Sequence, residues 1–165
     1  MNSRVLLAED DLPANNFLTK ALQSNGIDVV STINGQDAWN EFQKQTFSVV
    51  LTDLDMPFVR GEELIDRIQK ADLKVPPVII VITSLHDSKH IIEIMKKGVF
   101  DYLIKPADAA QIILKVKHAS KSYELQKINY VLASEKELRL TEQLDWIKYK
   151  NNISDKNIGN YKNNI

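Results

Sequence analysis

Two carboxylates one residue apart, Asp53 and Asp55, close the apolar run "SVVLTDLDMP" at 48–57. Three more acids, Glu9, Asp10 and Asp11, follow the apolar run "RVLLA" at 4–8. A third run, "VPPVIIVIT" at 75–83, leads to the hydroxyls of Thr83 and Ser84, and a fourth, "DYLI" at 101–104, ends on Lys105-Pro106. Clustered carboxylates repel and raise one another's pKa unless a cation joins them. Oxygen ligands with room for water suit a hard cation, Mg2+ first. A carboxylate held beside such a cation and a lysine can attack a phosphoryl group and become an acyl phosphate. The cation and the ammonium neutralise the transferring oxygens, and a hydroxyl can hydrogen-bond the product. None of this happens unless residues far apart in the chain meet.

The elements between these groups say how they could meet. After the first run, "DDLPANNFLTKALQSNG" reads as a helix: Asp11 or Leu12 precedes Pro13, the stripe is Phe17, Leu18, Ala21 and Leu22, and Gly26 closes it. "IDVVSTI" (27–33) is a strand. "NG" (34–35) turns into a short helix that buries Ala38, Trp39 and Phe42. "FSVVLT" (47–52) is the third strand, and the helix after "DLDMPFVRG" carries Leu64, Ile65 and Ile68 on one side. "HDSKHIIEIMKKG" is a helix capped by Asp87 or Ser88 and stopped at Gly98, and Asp108 opens another after the fifth strand. Strand and helix alternate five times. That order predicts an α/β fold, a doubly wound five-stranded parallel sheet with helices on both faces. Ligands of such sheets bind beyond the carboxyl ends of the strands. If strands 1, 3, 4 and 5 are neighbours, one edge gathers the carboxylates, the hydroxyl and the lysine, and the strand before Asp53 holds it rigidly inside a phosphoryl-accepting pocket.

With "VLLAEDD", "VVLTDLDMPFVRG", "VIIVITS" and "YLIKP" in this order and spacing, residues 3 to about 121 resemble the response-regulator receiver family of two-component signalling, the CheY-like proteins. The resemblance implies a flavodoxin-like sheet of order 2-1-3-4-5. It implies that Asp53 accepts a phosphoryl group from a sensor histidine kinase or phosphotransfer protein, with Mg2+ as cofactor. Asp10 would ligate the metal directly, Glu9 largely through water, and Asp55 through its backbone carbonyl. Thr83 would be the switch hydroxyl, Tyr102 the switch aromatic, Lys105 the paired cation, and Pro106 would follow a cis bond. Such a domain is no enzyme in the ordinary sense: it catalyses only its own phosphorylation and dephosphorylation. Some positions depart from the commoner pattern. Glu9 stands where Asp is commoner, Arg60 where Asp or another polar residue is frequent, and Leu85 is apolar where many members are polar. Ser84 is small, as access to the site requires. The positions of Asp55 and Leu85 tune phosphoryl lifetime in the family.

Other chemistries fit less well. An acid at a strand end can be a mere helix cap, and Glu9 and Asp10 could be solvated first-turn acids. Thr83 alone would be explained by strand propensity, Tyr102 by a half-buried strand and Lys105 by a solvated surface. His86 and His90 stand four apart with no third ligand nearby. "VVLTDLD" also matches the strand-DxD signature of haloacid-dehalogenase-type phosphohydrolases. There the motif follows the first strand and the acidic pair comes late; here it follows the third and the pair comes first.

The 165 residues carry formal net charge -1, so bulk electrostatics do not point to nucleic acid. The absence of cysteine excludes disulfides and thiolate zinc sites and suits a reducing, cytoplasmic setting. No apolar run has the length of a membrane helix. Charge divides along the chain: residues 1–106 sum to -4 and 107–165 to +3. All five prolines lie at or before Pro106, and neither Pro nor Gly occurs from Ala107 to Ile158. The last helix is therefore read as extending over 108–150, roughly 64 Å, well past a receiver assigned to 1–121. Its stripe runs Ile112, Val116, Ala119, Tyr123, Gln126, Tyr130, Ala133, Glu137, Leu140, Leu144 and Ile147, an imperfect coiled-coil seam. It predicts a homodimer or a linker to an output domain; a helix folded back on its own domain is the plainer alternative. Six Asn in the last 15 residues mark 151–165 as a disordered tail, compatible with a stand-alone receiver or the first part of a longer regulator. A phospho-independent scaffold that uses fold and helix only for assembly is the competing function.

Overall fold

Strand and helix alternate throughout the protein, whose computed structural model describes residues 3–84 and 87–162. The elements are β1 Arg4–Ala8, α1 Leu12–Gln23, β2 Asp28–Thr32, α2 Gly35–Lys44, β3 Val49–Thr52, α3 Gly61–Lys70, β4 Val78–Thr83, α4 Ser88–Lys96, β5 Asp101–Ile104 and α5 Ala109–Lys162. All strand pairs are parallel and the order is β2-β1-β3-β4-β5. The expected flavodoxin-like fold is present. β4 starts at Val78 rather than Val75 because Pro76 and Pro77 precede it and prolines lack the ladder donor.

The period-two alternation of the strands divides the core. Val5, Leu7, Val49, Leu51, Ile80 and Ile82 pack on the side of α1 and α5, with Leu18, Leu22, Ile112, Val116 and Ala119. Leu6, Ala8, Val50, Ile79 and Val81 pack on the other side with Ala38, Leu64, Ile65, Ile68 and Ile94 of α2, α3 and α4. β3 and β4 are buried at every position, which explains their unbroken apolar runs. Caps follow the sequence signals: Asp11 accepts from Ala14 N, and Asp87 from Lys89 N. Gly26 and Gly98, at φ +75° and +78°, end their helices in the left-handed conformation.

The chain forms two units, one ending at Gln126 and one starting at Lys127. In the first, α5 buries Ile112, Val116, Ala119 and Tyr123. The sequence reading ends α5 near residue 150 and leaves 151–165 as a disordered tail. The backbone instead stays helical through Lys162. Nothing in 151–162 stops a helix: Pro is absent, and the single Gly159 costs only about 1 kcal/mol relative to Ala. Residues 163–165 lie outside the described residues, as do Leu85, expected from the resemblance to tune phosphoryl lifetime, and His86 of the two-histidine spacing. No helix among the described residues is long and apolar enough to cross a membrane.

Candidate functional site

Register brings the strand ends to one height. Ala8 pairs with Thr52, so Glu9 and Asp53 leave neighbouring strands side by side, and Asp53 N donates to Ala8 O at 2.9 Å. Thr83 pairs with Ile104, and Lys105 N donates to Thr83 O at 2.8 Å. Glu9, Asp53 and Thr83 are buried, Lys105 is half-buried and Asp10 is exposed. Lys105 Nζ lies 2.5 Å from Asp53 Oδ2 and 2.7 Å from Glu9 Oε1. It lies equally near Glu9 Oε2, but that approach lacks hydrogen-bond geometry and leaves Oε2 buried without a donor. Asp53 Oδ1 accepts from Leu54 N at 2.6 Å and from Asp55 N at 3.3 Å. One oxygen from each of Glu9, Asp10 and Asp53 lies within 4.8 Å of the others. An oxygen-only donor set with acceptor capacity to spare fits a hard divalent cation.

The electrostatics match the geometry. Burial pushes the Glu9 carboxyl above its ordinary value, against the opposing pull of Lys105. Burial alone would lower the Lys105 ammonium, but the hydrogen bonds it donates to Asp53 and Glu9 outweigh that and hold Lys105 above its ordinary value. The lysine therefore stays charged between two buried acids.

The description "Response regulator receiver domain" matches residues 5–117, most of the chain. The chain belongs to the response regulator receiver family. The transcriptional regulatory protein CrdR of Helicobacter pylori is 29% identical to it over 117 residues, 71% of this chain and 54% of that protein. The receiver domain of the Francisella response regulator 1452 superposes with a TM-score of 0.69 at 28% identity, covering 73% of this chain and 98% of that one. A crystal structure of adenylate cyclase from Rhodopirellula baltica superposes with a TM-score of 0.74 at 28% identity, over 81% of this chain and 98% of that one. This receiver chain spans about half the length of the first curated relatives it matches.

The receiver's other expected site residues sort clearly. Asp11, third of the acids, is the α1 cap and stands outside the oxygen cluster. Asp55 accepts from Arg60 through its side chain at 2.8 Å, so its carboxylate is engaged away from the acid/base role that the DxD reading needs. The Lys105–Pro106 bond is cis. Ser84 is exposed and, with Lys105 and Pro106, lines a groove beside α1. Thr83 and Tyr102 share a crevice about the size of one water with Leu54, Val81, Ile91 and Ile94.

Asn15 is the functional residue that the sequence reading passes over. Its buried amide donates to Glu9 O and Thr32 O, both at 2.9 Å, and its oxygen accepts from Ser31 Oγ at 2.5 Å. It thereby fixes the backbone from which Glu9 projects. The available signal was a polar residue on the inward row 15-18-22 of α1, where an apolar one fits the pattern. Gly61 was equally silent: a Cβ there would meet Asp53 O at 1.9 Å, so only glycine lets α3 start against the Asp53 backbone.

Proposed function

We propose that this receiver takes a phosphoryl group onto Asp53 from the phosphohistidine of a sensor histidine kinase or phosphotransfer protein. A carboxylate oxygen of Asp53 attacks phosphorus, the P–N bond breaks, and its electron pair returns to the donor nitrogen. The observation that carries this reading is Lys105 Nζ at 2.5 Å from Asp53 Oδ2, with the Glu9 and Asp10 oxygens within 4.8 Å. Lys105 stabilises charge on the transferring oxygens and, with the Leu54 amide, keeps the nucleophile in one orientation. Asp10, Glu9, Asp53 and the backbone carbonyl of Asp55 would hold Mg2+, which neutralises phosphoryl oxygens when bound.

The shared crevice of Thr83 and Tyr102 supports a switch. If Thr83 turns its hydroxyl toward the new phosphoryl group, it vacates space beside Tyr102 and the α4 residues Ile91 and Ile94. That shifts the α4–β5–α5 surface between two populations. The Lys115–Asp101 ion pair ties α5 to the start of β5, so α5 feels the shift. The exposure of Tyr130, Leu140, Leu144 and Ile147 supports the homodimer through α5.

Incubation of the full chain with phosphoramidate and Mg2+ tests the central step. The expected result is a gain of one phosphoryl group by intact mass, lost in Asp53→Asn and in chelator. No gain with any donor would leave a phospho-independent scaffold in its place, and turnover of a phosphate ester would revive the phosphohydrolase. Light scattering tests the dimer: the full chain should have twice the monomer mass, and the double variant Leu140→Glu, Leu144→Glu the monomer mass.

A further inference from the structure

We propose that Phe58 is the aromatic anchor on which a phosphohistidine-bearing protein seats itself when it reaches Asp53. The proposal rests on the phosphoacceptor reading above and adds a specificity residue to it.

Phe58 gains nothing from the fold. Its φ is +66°, in the left-handed region that glycine and asparagine tolerate and a bulky side chain disfavours. Val59 N donates to Pro57 O at 2.9 Å, which makes Phe58 the centre of a γ-turn, a strained three-residue reversal. The ring is 85% exposed, the largest exposure among the large hydrophobic residues described. The strained backbone opposes folding and the unburied ring contributes almost nothing to it, and strain of this kind clusters at functional sites.

The loop is nevertheless fixed. Met56 and Val59 on either side are buried. Val59 O lies so close to α2 that a Cβ on Gly35 would come within 2.0 Å of it. Gly61 N donates to Leu54 O at 2.9 Å and closes the loop at its base. The ring is thus presented from a clamped backbone, and little backbone entropy remains to be lost when a partner covers it.

Position names the partner. Phe58 lies in the β3–α3 loop, which Asp53 opens at the carboxyl end of β3 and which closes at Gly61 against the Asp53 carbonyl. Gly61 is roughly 11 Å from Phe58 at most, so Phe58 shares the sheet edge at which Asp53 stands. Asp53 is itself only 6% exposed. Reaction requires the phosphorus within about 3–3.5 Å of its carboxylate. A protein that carries the phosphorus on a histidine brings its surface to that edge, where Phe58 is the most exposed large apolar side chain among the described residues. A small phosphodonor enters without touching the ring. The partner surface that fits is an apolar patch beside the phosphohistidine, with polar groups opposite the exposed Arg60–Asp55 pair.

The test compares two donors on the full chain with Mg2+: phosphoramidate, and the fastest of a panel of histidine-phosphotransfer domains charged on their histidine. Phe58→Asn removes the ring and suits the left-handed backbone; Phe58→Tyr keeps the ring. Expected are a tenfold or greater loss of transfer from the protein donor to Phe58→Asn, retention in Phe58→Tyr, and phosphoramidate rates within about twofold of wild type for both. Melting temperature should hold or rise in Phe58→Asn, which separates the loss from unfolding. Equal protein-donor rates overturn the proposal. An equal loss with both donors overturns it in favour of a role inside the pocket. A changed mass in light scattering reassigns the ring to a second copy. If phosphoramidate labels the wild type and no protein donor does, Phe58 seats no donor and the inference falls alone; if phosphoramidate also fails, the phosphoacceptor reading falls first.

Discussion

The pocket at the strand ends and the second half of α5 break the same solvation rule in opposite directions. In the pocket, Glu9, Asp53 and Thr83 are buried although polar. In α5 beyond Gln126, Tyr130, Leu138, Leu140, Leu144, Trp146 and Ile147 are exposed although apolar. Buried polar groups persist where partners compensate them, and here Lys105, backbone amides and the acids themselves largely do so. Exposed apolar groups in such number mark a surface that something else covers. The pocket is assembled within one chain, whereas under the proposed homodimer the distal helix gains its stability by association.

Four experiments would break or sharpen that contrast, and the first is expected to show the largest effect. Lys105→Met should slow phosphoryl uptake from phosphoramidate by roughly 100-fold or more, followed by intact mass against time. Uptake within tenfold of wild type would mean that the pocket's compensation has no part in the chemistry. Next, Ile112→Ala should cost about 2–5 kcal/mol in urea unfolding at every protein concentration, because Ile112 is fully packed. Leu144→Ala should instead alter how the melting temperature depends on concentration. A concentration-independent loss at Leu144 would show that it packs within its own chain.

The third experiment concerns Glu9, whose carboxyl burial holds above its ordinary 4.5. The folded state then binds the proton more tightly than the unfolded one, so in chelator the Glu9 contribution to stability falls as pH rises through that window. Glu9→Gln should match wild type below pH 4.5 and exceed it in stability above the raised value. Added Mg2+ should reverse the order by stabilising only the wild type, as read by thermal unfolding. The smallest effect belongs to Arg60→Ala. Its pair with Asp55 is more than half exposed on both sides, so chemical denaturation should register a change below about 0.5 kcal/mol.

Much of the site was legible because its residues sit where strands stop. A buried apolar run is visible in sequence, and so is the polar residue that ends it; that local signal picked out Glu9, Asp10, Asp53, Thr83 and Lys105. Asn15 was not legible because its partners are backbone carbonyls of Glu9 and Thr32, which no side-chain pattern encodes. Arg60 could be noted as a departure, but its partner Asp55 follows from loop geometry. The seam of α5 misled in a different way. One stripe, broken only at Gln126 and Glu137, joins Ile112 to Ile147, yet its first members are core and its later ones are exposed. Helical spacing reports that a face is apolar and carries no information about what lies against it.

Alternating apolar runs and breakers, read alone, settled the element order and the parallel sheet and singled out the acids, hydroxyl and lysine that end the strands, since each depends on side-chain spacing within a few residues. Which carbonyls Asn15 grips, that α5 continues past residue 150 and which part of it is buried were decided only in three dimensions. Those outcomes depend on distances between segments remote in the chain, and no local pattern records such distances.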